Sequence, residues 1–251
     1  LDELYRSYHA GENEIVLAEY LANIVLNECE GVERQTKSFL KKDWIIDRLF
    51  LRLIHYERNK ENLKDAVYCK FLDLAAVFYV LTEESEDGVK SYRLPKSIWD
   101  SLELGTAEEY YTKIVENTKR LFPEVLTYLE EAILSCMEQE NEEHCLNSLE
   151  QTEQLLSHRL YMLSNQRRIN GAAVLLYPGL LEMLAEKFSG NYFIIPSSVH
   201  EILLLKETQT EDVQQLNSIV HEVNEQQVAP EEVLSDHVYY YSWEDGRLQC
   251  K

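Results

Sequence analysis

Two long stretches of this chain contain no lysine or arginine. Residues 121–158 hold nine glutamates and no base, and residues 207–246 hold ten acidic residues and no base. Together they carry −19 of a formal net charge of −21, so the acidity is local and the rest of the chain is nearly neutral. Such stretches repel a phosphate backbone, and no basic stripe with interleaved aromatics stands elsewhere to offset them. Direct nucleic-acid binding is therefore not expected.

Other absences narrow the class further. The longest apolar runs, such as 74–81 and 202–205, are far too short to span a bilayer, so no membrane partner is expected. The opening LDELYRSYHAGENE lacks a basic segment followed by an apolar one, so it does not read as a secretory signal. The five cysteines are odd in number and never form CxxC, which favours a reducing compartment and a cytoplasmic location. Cys136 and Cys145, with His144 and His158 nearby, fit no zinc spacing. No cofactor fingerprint is present, so neither a metal nor a cofactor is expected.

What is present is ordinary globular material. The apolar fraction is 45% and the charged fraction 27%, and 251 residues suit one elaborated domain or two small ones. Residues 15–29 carry apolar side chains at helical spacing, which predicts an N-terminal helical segment within 1–42. A single α+β domain is expected over 43–251, with an acidic, helical insertion at about 124–157. Leu49, Leu51 and Leu53 alternate with Arg48, Phe50 and Arg52, as in a half-buried strand. Residues 71–82 read as one strand returning through Glu86-Asp87-Gly88 to a second at 90–94. A short helix at 95–102 follows, and Thr106-Ala-Glu-Glu109 has the form of a capping box. Downstream, strands at 158–164, 191–196 and 199–206 alternate with helices at 178–188 and 213–224, and 235–250 forms a terminal hairpin. This order implies an antiparallel or mixed sheet with helices mainly on one face.

The runs NGAAVLLYPGLLEMLAEKF (170–188), NYFIIPSSVHEILLLKE (191–207) and VHEVNEQQVAPEEVLSDHVYYY (220–241) resemble domain-of-unknown-function family 5688, from gut clostridial bacteria. WIIDRLFLRLIHYERNKENLKD, FLDLAAVFYVL and ENTKRLFPEVL are similar to the same family's N-terminal half, so the resemblance covers roughly residues 43–247. It implies a bacterial, cytoplasmic protein. It supplies no activity, ligand or catalytic residue.

Candidate chemistry comes from residue types alone. Ser198 as nucleophile, His200 as base and Asp236 as orienter would make a hydrolase-like centre, although no GxSxG elbow exposes the serine. The competing reading is a Pro-Ser-Ser turn whose hydroxyls satisfy the backbone. Asn170 and Gly171, next to the adjacent Arg167 and Arg168, could form a backbone nest for an anion. Tyr239, Tyr241 and Trp243 would share one strand face and are candidates for binding, or for burial against a helix. The first expectation for function is a non-enzymatic cytoplasmic interaction or regulatory protein that meets another protein, a basic one where the acidic face is used, through an acidic face or this aromatic strand. The alternatives are the hydrolase and an acidic inhibitor that mimics nucleic acid.

Overall fold

The computed structural model describes residues 42–85, 88–131, 160–208 and 211–251. The chain divides into two compact units, Leu1–Asp47 and Arg48–Lys251. Of the first, the described residues lie in helix α1 (Lys42–Arg48). The expected helix at 15–29, most of the acidic insertion, and Cys29, Cys136 and Cys145 lie outside the described residues.

The second unit is α+β and holds two sheets, both wholly antiparallel among the described residues. Alternating apolar residues build β1 (Leu49–His55), which pairs along its length with the central strand β3 (Leu74–Ser85). On the other side of β3 lie β2 (Tyr68–Phe71) and β4 (Gly88–Arg93), one after the other. Residues 71–82 are thus not one strand. Leu72 and Asp73 form a two-residue turn between the partners Phe71 and Leu74, with Leu72 at φ 56°. A leucine in the left-handed region is no turn signal, which is why the break is invisible to pattern reading.

Helix α2 (Lys96–Ser101) sets Trp99 edge-on against Phe78 at 5.5 Å. Helix α3 (Ala107–Leu121) follows Thr106, whose side chain makes no capping bond. The capping box therefore does not close on the threonine side. Thr118 of α3 instead accepts from the Leu51 backbone amide at 2.9 Å while donating to the Ile114 carbonyl at 2.6 Å. This occupies a donor on the free edge of β1, where unpaired backbone invites another strand.

The second sheet has the order β10-β9-β7-β8-β6-β5. Its strands are β5 (Glu124–Tyr128), β6 (Tyr161–Asn165), β7 (Tyr192–Pro196), β8 (Ile202–Lys206), β9 (Tyr239–Ser242) and β10 (Arg247–Cys250). β5 corrects the expected start of the helical insertion. Residues 124–128 pair with β6, and their acidic context hid the strand. Adjacent residues of β7 face opposite ways. Tyr192 meets Phe188 of helix α4 (Leu180–Phe188), and Phe193 joins the core with Val220 of helix α5 (Val213–Gln226). Asp212 caps α5 by accepting from the Gln214 amide at 2.9 Å. One sheet with helices on one face is thereby sharpened to two sheets, the larger covered on both faces.

A 3₁₀ helix, Gly171–Leu176, packs against both β1 and β6. The tyrosine after it, Tyr177, donates its hydroxyl to the Phe122 carbonyl at 2.7 Å. A carbonyl just beyond α3, where intrahelical partners run out, is satisfied this way. Gly171 is where the chain comes closest. A Cβ there would overlap Ser164 Oγ and the His200 carbonyl oxygen, two atoms already joined by a 2.7 Å hydrogen bond. Gly171→Ala should therefore destabilise the domain by about 3 kcal/mol, the upper range for overpacking, because backbone cannot yield as a flexible side chain would. Urea denaturation checks it, and a loss below about 0.5 kcal/mol contradicts the close approach.

Candidate functional site

The loop between β7 and β8 closes on itself. Ser197 and Ser198 both donate to Glu201 Oε1, at 3.0 and 2.7 Å, and the His200 amide donates to Ser198 Oγ at 3.0 Å. The Ser198 proton is therefore committed to a carboxylate three residues on. His200 turns the other way. Its Nδ1 accepts from the Asn170 amide at 3.1 Å, and its Nε2 lies 3.4 Å from Glu232 Oε1. Asp236 takes Arg58 on both carboxylate oxygens, at 3.0 and 2.9 Å, and Asn224 at 3.0 Å. A serine–histidine–aspartate triad needs the hydroxyl on the imidazole and the imidazole on the carboxylate. Here Ser198, His200 and Asp236 each have other partners, and the three are not joined to one another as a triad.

The residues of the expected anion nest also make internal bonds. Asn165 gathers its loop, donating to the Ile169 carbonyl at 2.8 Å and accepting from the Arg167 amide at 3.0 Å. The Arg168 amide donates to the Asn165 carbonyl at 3.0 Å, and the Asn170 amide is spent on His200. Arg167 pairs with Glu84 and donates to the Ser85 carbonyl at 3.2 Å. The Arg168 and Asn170 amides and the Arg167 guanidinium are thus already bonded, and Gly171 serves packing.

Tyr239 and Tyr241 do share a face of β9, but it is an inner one, with exposures of 0% and 2%. Tyr241 stacks on Tyr192 at 5.3 Å. Trp243 lies past the end of β9 and is 48% exposed. The aromatic strand is thus core, and only Trp243 of the three offers a surface.

What Tyr239 touches is the main polar cluster. Its hydroxyl donates to Asp73 Oδ1 at 2.7 Å, and Ser235 donates to Oδ2 of the same carboxylate at 2.6 Å. Burial and the Asp73 charge both push the Tyr239 phenol well above its ordinary pKa, so it stays a donor. Beside it, His55 is 9% exposed and accepts the Arg58 amide on Nδ1 at 3.3 Å. Burial lowers the His55 pKa, and the nearby charges of Asp73 and Asp236 only partly oppose that. Burial alone would raise the Asp236 pKa, but the Arg58 and Asn224 hydrogen bonds outweigh it and hold this carboxyl below its usual range. The cluster presents neither a free nucleophile nor a shared proton. It ties the β2–β3 turn and the residues after β1 to the approach to β9. Reading by residue type found Asp236 and Tyr239 for other reasons and missed His55, Arg58, Asp73, Asn224 and Ser235. The available signal was Asp73, a charge inside the apolar run FLDLAAVFYVL.

Two outcomes follow from this geometry. Asp73→Ala strips two charge-assisted bonds and leaves the Tyr239 hydroxyl buried without its acceptor. It should cost about 3 kcal/mol in urea unfolding at neutral pH, and a loss under about 1 kcal/mol would show the carboxylate to be dispensable. The second concerns acid. His55 has a native pKa below its unfolded value of 6.5, so its contribution is complete above that pH and is lost as pH falls towards the native pKa. Asp236 acts in the same direction, starting lower, below 3.8. Stability should therefore fall between pH 7 and pH 5 in the natural chain and fall less in His55→Asn. Equal slopes in denaturation series would remove His55 from the account.

Among the described residues no helix is long and apolar enough to cross a membrane. No curated protein and no solved structure matches the chain. A family model matches residues 1–243, so the likeness extends through the first forty residues as well. The chain belongs to DUF5688, a family of unknown function.

Proposed function

We propose that this chain is a non-enzymatic cytoplasmic interaction protein that docks a basic partner protein through its acidic C-terminal stretch. The observation that carries the reading is the distribution of the ten acids in residues 207–246. Asp212, Glu222, Glu225, Glu231, Glu244 and Asp245 are exposed, in a stretch with no lysine or arginine to neutralise them. Charge of one sign at a surface steers partners of the opposite sign and raises their association rate. The groups that chemistry would need are bonded internally instead, as the Ser198–Glu201 and Asp236–Arg58 pairs are. Support for a reducing compartment comes from Cys69 and Cys250, which are both free thiols. Burial pushes the Cys69 thiol up to about 11, so it is a poor nucleophile there.

Glu222 and Glu225 sit on α5, exposed. The double variant Glu222→Lys, Glu225→Lys should keep stability within about 0.5 kcal/mol, as surface substitutions do. It should weaken the partner complex by about tenfold or more. The measurement is affinity capture from the source organism's lysate with both forms, followed by elution in a salt gradient. A basic protein released by salt from the natural chain and lost from the variant is the expected result. Equal retention by both forms, or no salt-released protein, overturns the reading.

A further inference from the structure

The face of the four-stranded sheet that carries Phe50, Arg52 and Ile54 holds a cation of an unusual kind. Arg52 is partly buried in the middle of β1, with Val77 opposite it on β3. Its guanidinium carbon lies 4.0 Å from the Tyr79 ring centre and 5.6 Å from that of Phe50. Among the described residues its NH2 donates to the neutral Ser91 hydroxyl at 2.5 Å, and the Tyr79 side chain is a second hydrogen-bond partner. Nε is fully buried and has no partner. Among the described residues no carboxylate acts on the group, and burial pushes its pKa down with only Tyr79 opposing.

That is a costly arrangement in this chain. Acidic residues outnumber lysine and arginine by 45 to 24, so carboxylate partners abound. Arg58 and Arg167 have each found one, in Asp236 and Glu84. A guanidinium taken out of water normally gains a bidentate acceptor in exchange, because its five donors form a planar fork. Among the described residues Arg52 has no carboxylate on its fork, its Nε has no partner, and its guanidinium carbon lies over the Tyr79 ring. The strand register adds a second charge. Arg93 pairs with Tyr79 on the same face, and its NH1 is steadied by the Asn62 carbonyl at 2.6 Å. On this face the strand neighbours of Arg52 are Phe50, Ile54, Val77, Tyr79 and Ser91, none of them acidic.

The geometry points to an oxyanion-binding site on this sheet face, in which Arg52, backed by Tyr79 and Ser91 and assisted by Arg93, anchors the phosphate or carboxylate group of a small ligand. Arginine forks match both groups in shape, and the aromatic backing excludes water from one side of the contact. The site is separate from the acidic stretch and does not depend on the proposed partner.

The test is a thermal-unfolding titration of the natural chain with inorganic phosphate and, in parallel, with acetate, each against sodium chloride at equal ionic strength. A saturable rise in midpoint with phosphate assigns a phosphate group, and one with acetate alone assigns a carboxylate. Both support the site. Arg52→Lys keeps the charge but loses the fork, and should raise the half-saturating concentration by roughly tenfold. The Nε–Hε resonance of Arg52, followed by NMR in the natural chain, should move along the same titration curve. This readout decides the matter even if the variant does not fold. A midpoint that follows ionic strength alone overturns the proposal. So does an Arg52 resonance that stays fixed while the midpoint rises.

Discussion

A carboxylate held, among the described residues, by two hydroxyls and no cation joins sheets that share no strand. Asp73 sits on the turn between β2 and β3, and its acceptors are filled by Ser235 and Tyr239 from the segment that becomes β9. Backbone ladders hold each sheet internally, but they cannot hold one sheet to the other. That connection falls to side chains: the Asp73 pair of bonds, the Arg58–Asp236 bridge, and the Tyr177 hydroxyl on the Phe122 carbonyl. The rest of the polar arrangement depends on this demand. Tyr239 is buried because its hydroxyl has an acceptor waiting, and His55 stays neutral because it is enclosed among the same residues. A cluster of two carboxylates, a histidine and a guanidinium looks like machinery for proton transfer. Each member is already spent on holding the fold.

Much of the fold was legible from local chemistry. Apolar alternation located β1, the apolar runs located β7 and β8, and the stretch 213–224 located α5, although its Asp212 cap went unread. The failures have physical causes. Leu72 adopts a left-handed turn without glycine or asparagine, so the β2–β3 break carried no signal. β5 is recruited by pairing with β6, which is tertiary context overriding a helix-like acidic composition. At the candidate site, Ser198, His200 and Asp236 were chosen for their type, but partners were decided by proximity. Glu201 is three residues from Ser198 and wins its proton. The partners of His200, by contrast, come from 30 residues upstream and from Glu232, a pairing no spacing rule reveals.

Charge tells a similar story at two scales. Across the whole chain the acids collect where bases are missing, and the inner members of the C-terminal stretch are used structurally. Glu207 accepts the Tyr240 hydroxyl, Glu232 faces His200, and Asp236 holds Arg58. The outer members Glu222, Glu231 and Glu244 are exposed to solvent. At the scale of one side chain the opposite occurs on the four-stranded sheet, where Arg52 is partly buried with no acid beside it among the described residues, in a protein rich in them. Solubility explains the first pattern well. It does not explain the second, since a desolvated charge contributes nothing to solubility.

The sequence distance of the Asp73 bonds also sets an order of events during synthesis. Its partners lie 162 and 166 residues downstream, close to the last strands of the described chain. The β1–β3 pairing and the hairpins around it are short-range and close early, while loop closure to Ser235 and Tyr239 must await the synthesis of 162 and 166 further residues. A ribosome-bound chain therefore carries a completed four-stranded sheet with a solvated aspartate on its turn. Arrival of β9 converts that hydrated charge into an internal bond, which makes docking of the C-terminal segment the step that commits the two sheets to one another.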